Sequence, residues 1–246
     1  MEENIRFNIK LADVPIGISA LYNSTKLFCR EYLTDEKPAC KVCVEYSDIV
    51  FEKEKSAMQD ERNGVSVRRF SDNYLETLAV YRKIAEELTD WGILLFHGSA
   101  VAVDGEAYLF TAKSGVGKST HTRIWRETFG SRAVMVNDDK PLLRITDGGV
   151  TVYGTPWDGK HHLSNNIAVP LKAVCILERG SENRIRKITR REAWPFLMQQ
   201  TYRPACSDKL EQVMRLTEQI TSKAGLYRLA CNMEAQAAVT AYEGMK

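Results

Sequence analysis

The run Tyr108-Leu109-Phe110-Thr111-Ala112-Lys113-Ser114-Gly115-Val116-Gly117-Lys118-Ser119-Thr120 constrains the fold of this chain more than any other stretch. Its first part has the residue types of a buried strand. Its second part fits the pattern [AG]-x-x-x-x-G-K-[ST], with Ala112 in the first slot, and a helix-compatible run from His121 to Phe129 follows. Strand, glycine turn and helix in that order demand an α/β unit. Gly115 and Gly117 admit positive φ and leave bare backbone open to a close neighbour. Successive N–H groups and the positive end of the helix then converge on one point, which suits a phosphate. The cradle would comprise Lys113, Ser114, Gly115, Val116 and Gly117. Lys118 would reach the β- and γ-phosphates of ATP, Ser119 would place a hydroxyl on Mg²⁺, and Thr120 would support the α-phosphate.

The rest of the composition removes other classes. The 246 residues suffice for one domain with an appendage or for two small ones, and 44% are hydrophobic, enough for a proper core. A net charge of +2 with no basic block argues against nucleic acid or an anionic membrane as the main partner. No apolar run reaches membrane-spanning length, and Met1-Glu2-Glu3-Asn4 lacks the basic head and apolar stretch of a secretory signal. The six cysteines are scattered. Cys40 and Cys43 form the one close pair, without the second pair or two histidines that a zinc site needs, so the cysteines read as structural. Unpatterned thiols and a nucleotide-using loop give the expectation of a cytoplasmic protein.

Periodicity divides the chain near residue 70. From Met1 to Phe70 a mostly β lobe is expected. Ile5, Phe7, Ile9, Ile16 and Ile18 alternate, and strands are also expected at Val42–Val44, Ile49–Phe51 and Val65–Val67, with the charged run 51–64 as a hairpin or solvated loop. From residue 71 to 246 helices and strands intermix. A helix capped by Ser71 or Asp72 runs to Leu88 and ends at Asp90-Trp91-Gly92. Strands follow at Ile93–Val103, broken by His97-Gly98-Ser99, then at Ala107–Thr111, with Asp104-Gly105 as the hairpin turn between. Further strands are expected at 133–136, 142–145, 149–153, 173–177 and 226–230, and helices at 192–200, 209–222 and 233–242. The fold class is α/β with mixed sheets.

Four further stretches carry chemistry. Asn137-Asp138-Asp139 ends an apolar strand roughly twenty residues after the glycine loop, the separation of one helix and one strand. Two adjacent carboxylates there, Asp138 and Asp139, can divide the labour, one holding the metal and the other taking a proton from an attacking hydroxyl. His97 interrupts an apolar run. The segment Tyr153 to His162 mixes Trp157, Asp158 and Lys160 with glycine and proline, and suits contact with substrate or phosphate. Arg203, in Gln199-Gln200-Thr201-Tyr202-Arg203-Pro204, can bring positive charge to a transferring phosphoryl group.

The order and spacing of His97-Gly98-Ser99, Ser114-Gly115-Val116-Gly117-Lys118-Ser119 and Val136-Asn137-Asp138-Asp139 resemble the HPr serine kinase/phosphorylase family, whose P-loop fold is shared with phosphoenolpyruvate carboxykinase. The likeness spans about Ile93 to Leu229 and is to the short, divergent HPr kinase-related proteins. The resemblance implies Asp138 as the base for a serine hydroxyl, His97 as its electrostatic support, Ser119 and Asp139 on magnesium, and Lys118 on the phosphates. Residues 154–160 depart from the family's usual stretch, in which a glutamate follows the second carboxylate site, and Asp158 is the carboxylate found there. The long basic loop that the family uses for phosphorolysis is not recognisable, and the first seventy residues do not resemble the family's N-terminal domain. The resemblance therefore implies an ATP- and Mg²⁺-dependent kinase acting on a hydroxyl of a peptide, protein or small molecule, a peptide serine or threonine included. A carboxykinase-like small-molecule phosphotransferase and a non-catalytic nucleotide-dependent regulatory module are the alternatives. A homo-oligomer is compatible with the sequence, which does not fix the oligomeric state.

Overall fold

The computed structural model describes residues 4–62, 64–113 and 115–246. Contacts divide the chain into two compact units, Met1–Glu87 and Leu88–Lys246.

In the first unit, β1 (Ile5–Leu11) and β2 (Val14–Ala20) form an antiparallel hairpin, and β3 (Cys40–Cys43) joins β2 in parallel. The alternation read from Ile5 to Ile18 is real: Phe7, Ile9, Ile16 and Ile18 are buried between partly exposed neighbours. The helices are α1 (Asn23–Phe28), α2 (Tyr46–Arg62) and α3 (Asp72–Leu88). The strand expected at Ile49–Phe51 and the hairpin or loop expected beyond it are instead the single helix α2, and Val65–Val67 is not a strand. Charges hold that helix more than apolar periodicity does. Arg82 of α3 donates to Asp48 and Glu52 of α2, at 2.9 and 2.6 Å, and Lys83 pairs with Asp48 at 2.6 Å. The fully buried Glu76 of α3 accepts the backbone N–H groups of Leu21 and Tyr22 and the hydroxyl of Thr25, supplying the cap that α1 lacks from its own side chains.

The second unit is a curled, mixed nine-stranded sheet with helices on both faces. Its strands are β4 (Ile93–Leu95), β5 (Ser99–Val103), β6 (Glu106–Thr111), β7 (Ala133–Asn137), β8 (Leu142–Thr146), β9 (Gly149–Tyr153), β10 (Ala168–Arg179), β11 (Arg184–Lys187) and β12 (Gly225–Cys231). They run in the order β4-β8-β9-β10-β6-β5-β7, with β12 also paired to β10, and β11 to β12. The spine is β10. Its first residues pair antiparallel with β9, its centre pairs in parallel with β6, and its end pairs in parallel with β12. A register shift between Leu171 and Ala173 marks where it changes partners, as strands do when a sheet turns a corner.

The apolar runs that mark these strands are continuous because both faces are covered. Leu109, Val174 and Ile176 point to one side, against Leu197 of α5 (Arg190–Gln200) and Val213 and Ile220 of α6 (Ser207–Lys223). Tyr108, Phe110 and Cys175 point to the other, against Trp125 of α4 (Lys118–Phe129) and Ala238 and Tyr242 of α7 (Ala235–Met245). The Asp104-Gly105 turn has φ of 53° and 84°, the double left-handed conformation that suits a two-residue hairpin. Strand β11 was not read from the sequence, since Arg184-Ile185-Arg186-Lys187 offers one apolar residue.

Candidate functional site

The glycine loop leaves the end of β6 and enters α4 at Lys118. Gly115 and Gly117 have φ of 78° and 119°, conformations that cost any side chain strain, and the Gly117 carbonyl accepts the first helical bond from His121. The Arg179 guanidinium, at the end of β10, donates to the Gly115 carbonyl at 2.6 Å and ties the loop to the neighbouring strand.

Beside it, β7 ends in Asn137, whose side chain folds the chain that follows. Its Oδ1 accepts the backbone N–H groups of Asp139 and Lys140 at 2.9 and 2.7 Å, and its Nδ2 donates to the carbonyl and hydroxyl of Thr155. The Thr155 hydroxyl in turn donates to the Lys140 carbonyl. All four hydrogen-bonding capacities of the fully buried Asn137 amide are thus used, and the Asp138-Asp139 turn has one shape.

Asp138 is buried, at 6% exposure. The Ser99 hydroxyl donates to its Oδ1 at 2.6 Å, and the Thr122 hydroxyl lies 2.9 Å from Ser99 Oγ and 3.4 Å from the same Oδ1. Thr122 also lies 3.4 and 3.3 Å from the carbonyls of Lys118 and Ser119. A short polar chain therefore links the first turn of α4 to the Asp138 carboxylate. Both hydroxyls lie on the Oδ1 side of the carboxylate.

Asp139 faces a different group. Its Oδ1 is 3.4 Å from His97 Nε2, where the resemblance implied that His97 would support Asp138, and its Oδ2 is 4.0 Å from Lys140 Nζ. Burial would raise its pKa, but the hydrogen bond to His97 and the charges of Lys140, His97 and Lys118 outweigh burial and hold the carboxyl below its ordinary range. Lys118 moves the other way. Desolvation lowers its pKa, and the nearby charges of Asp139 and Asp138 only partly restore it. The loop lysine and both carboxylates therefore share one electrostatic neighbourhood.

Backbone pairing brings two more predicted stretches to the same place. Gly98 N–H donates to the Asp139 carbonyl, and His97 N–H to the Gln200 carbonyl at 2.7 Å. Phe96 bridges Thr201, and Tyr202 N–H donates to the Leu95 carbonyl, so exposed Arg203 follows a segment anchored beside His97.

The 153–162 stretch differs from expectation. It reads as too polar for core, yet residues 154–158 are all buried, Trp157 at 4% and Asp158 at 7% exposure. Their polar groups find partners within the protein. Asp158 accepts from Ser164 at 2.9 Å and faces His162 Nδ1 at 3.3 Å. Lys160 is exposed. A Cβ on Gly159 would sit 3.1 Å from that of Asp139, which puts this loop directly over the second carboxylate.

Sequence reasoning gave no role to Thr122, Thr155 or Arg179. For Thr122 a signal existed, since it lies one helical turn after Lys118, on the same side of α4. Thr155 and Arg179 carry none.

Among curated proteins, no sequence relative matches. One similar solved structure is the Hpr(Ser) kinase/phosphatase from Coxiella burnetii, at 11% identity over 38% of this chain and 72% of that one, with a TM-score of 0.28, a distant likeness. Residues 70–242 match the family profile described as SynChlorMet cassette protein ScmC. That match covers well over half of the sequence, and the chain belongs to the ScmC family.

Proposed function

We propose that this protein is an ATP- and Mg²⁺-dependent kinase that transfers the γ-phosphoryl group to a hydroxyl of a peptide, protein or small molecule. One observation carries the reading. A loop with two left-handed glycines opens a helix whose first lysine is electrostatically coupled to two adjacent carboxylates, one of them bonded through Ser99 and Thr122 to that same helix turn.

In this reading the 113–120 loop is a P-loop and binds the triphosphate through its backbone N–H groups and Lys118. Among the described residues, no cluster of three or more His, Cys, Asp and Glu is arranged to hold a metal. A magnesium ion would instead rest on Ser119, Asp139 and the phosphates, the sparse protein ligation that this cation favours. Bound there, it would neutralise charge on the β- and γ-phosphates. Asp138 takes the proton of the acceptor hydroxyl, while His97 orients Asp139 and Arg203 lends positive charge to the phosphoryl group in flight. Lys160, exposed on the loop over Asp139, meets the acceptor. No described helix is long and apolar enough to cross a membrane.

The test is transfer from γ-labelled ATP to a library of serine- and threonine-bearing peptides. Label should appear on a hydroxyl with wild type and vanish with Lys118→Ala, which should also lose ATP binding. A Lys118→Ala variant that binds ATP as wild type does would remove the loop from the mechanism.

A further inference from the structure

A cavity of about 470 Å³ opens against the glycine loop. Gly115, Val116 and Gly117 form one wall, and α4 and the ends of β10 and β12 form the others. His97, Asp138, Asp139 and Asp158 do not line it, so it is distinct from the carboxylate site while sharing the glycine loop's neighbourhood. Its lining is mixed. Val116, Ile124 and Leu177 are apolar, and Arg179, Asn232 and His121 are polar.

His121 is held in one tautomer there. Its Nε2 accepts the Trp125 indole N–H at 3.0 Å, so in the neutral ring the proton sits on Nδ1, which lies 4.0 Å from Cys231 Sγ. Burial keeps the ring neutral, with a pKa pushed down to about 4. Glu178, the carboxylate on the lining, is engaged by Arg228. Met233, 78% exposed, stands at the rim.

We infer that this cavity receives the nucleoside half of ATP, with the triphosphate passing over the loop toward Asp138 and Asp139. The inference rests on the phosphate-binding reading of the loop and adds the direction in which the nucleotide lies. Three features select this occupant. The volume falls within the roughly 300–1,000 Å³ of small-molecule sites. An apolar surface with a few polar side chains suits a flat heteroaromatic ring and its ribose. The wall is the very backbone proposed to hold the phosphates, so one ligand can fill both places. Arg179 fixes the junction by its bond to Gly115.

The experiment compares ATP with inorganic tripolyphosphate, each with Mg²⁺, by titration calorimetry. Wild type should bind ATP at least about tenfold more tightly than tripolyphosphate, since only ATP fills the cavity. Cys231→Trp, which fills it, should cost ATP about tenfold and leave tripolyphosphate within about twofold. Met233→Ala, at an exposed site where folding is not at risk, should cost ATP about threefold and tripolyphosphate nothing. Thermal melts check both variants. Equal wild-type affinities for the two ligands, or parallel losses of both in well-folded variants, would overturn the assignment while leaving the phosphate loop in place. Failure of wild type to bind either ligand would overturn the loop reading itself, and this inference with it.

Discussion

Replacing Asp138 by asparagine isolates the proposed base from its surroundings. The side chain keeps its shape, and the new Oδ1 still accepts from Ser99 at the 2.6 Å position. Thr122 keeps its contacts with Ser99 and with the first turn of α4, so the glycine loop should stay as it is. What disappears is a carboxylate able to take a proton. General-base contributions run to roughly 10²–10⁴-fold, so kcat should fall by that factor while the KM for ATP stays within about threefold. Ser99→Ala is the complementary perturbation. It keeps the carboxylate but removes the shorter of two donors to a buried charge, leaving Thr122 at 3.4 Å. Losing a hydrogen bond to a buried charged group costs about 1.5–3 kcal/mol. At roughly 2–4 °C per kcal/mol for a chain of this size, the melting temperature should drop by about 3–12 °C. The assay is steady-state transfer from labelled ATP beside thermal melts of both variants. An Asp138→Asn enzyme that keeps turnover within about tenfold of wild type, or loses ATP binding in place of kcat, would refute the assignment.

Three other outcomes follow from the structure. His121 is buried and neutral, with a folded pKa of about 4 against 6.5 in the unfolded chain, so between those values only the unfolded state is protonated. Stability should therefore decline as pH falls from 6.5 to 4, by about 3 kcal/mol from this group, and His121→Gln should flatten that slope in denaturant titrations. Lys118 has its pKa lowered from 10.5 in the free protein, so just below that value the folded state is short of a proton. Stability rises with pH through that window, and ATP, by restoring the charge of Lys118, should bind with proton uptake there. Calorimetry in buffers of different ionisation enthalpy should detect the uptake in wild type and not in Lys118→Arg, whose guanidinium is charged with or without ATP. A methyl on Gly154 would stand 1.9 Å from the Asn165 carbonyl oxygen and 2.7 Å from that of Val136. Gly154→Ala should cost at least about 3 kcal/mol, because both obstacles are backbone, and a melt within about 2 °C of wild type would contradict this packing.

Local chemistry wrote much of this molecule into its sequence. The apolar runs of β5, β6 and the centre of β10 declared strands, and Asp104-Gly105 declared its hairpin, because strand periodicity and turn φ angles are decided within a few residues. The glycines at 115 and 117 likewise demanded a loop that other residues cannot make. Helix α2 was illegible for the opposite reason. With Ile49 its single buried apolar residue, it owes its place to Arg82 and Lys83, more than twenty positions downstream. Burial of the polar 154–158 segment was hidden too, since the partners that make it tolerable, Asn137 and Lys140, come from another strand end. The meeting of Ser99, Thr122 and Asp138 and the cavity against the loop belong to tertiary structure alone. Each depends on which strand ends lie side by side, and strand order in a mixed sheet is set by the packing of both faces at once, not by any stretch of chain read singly.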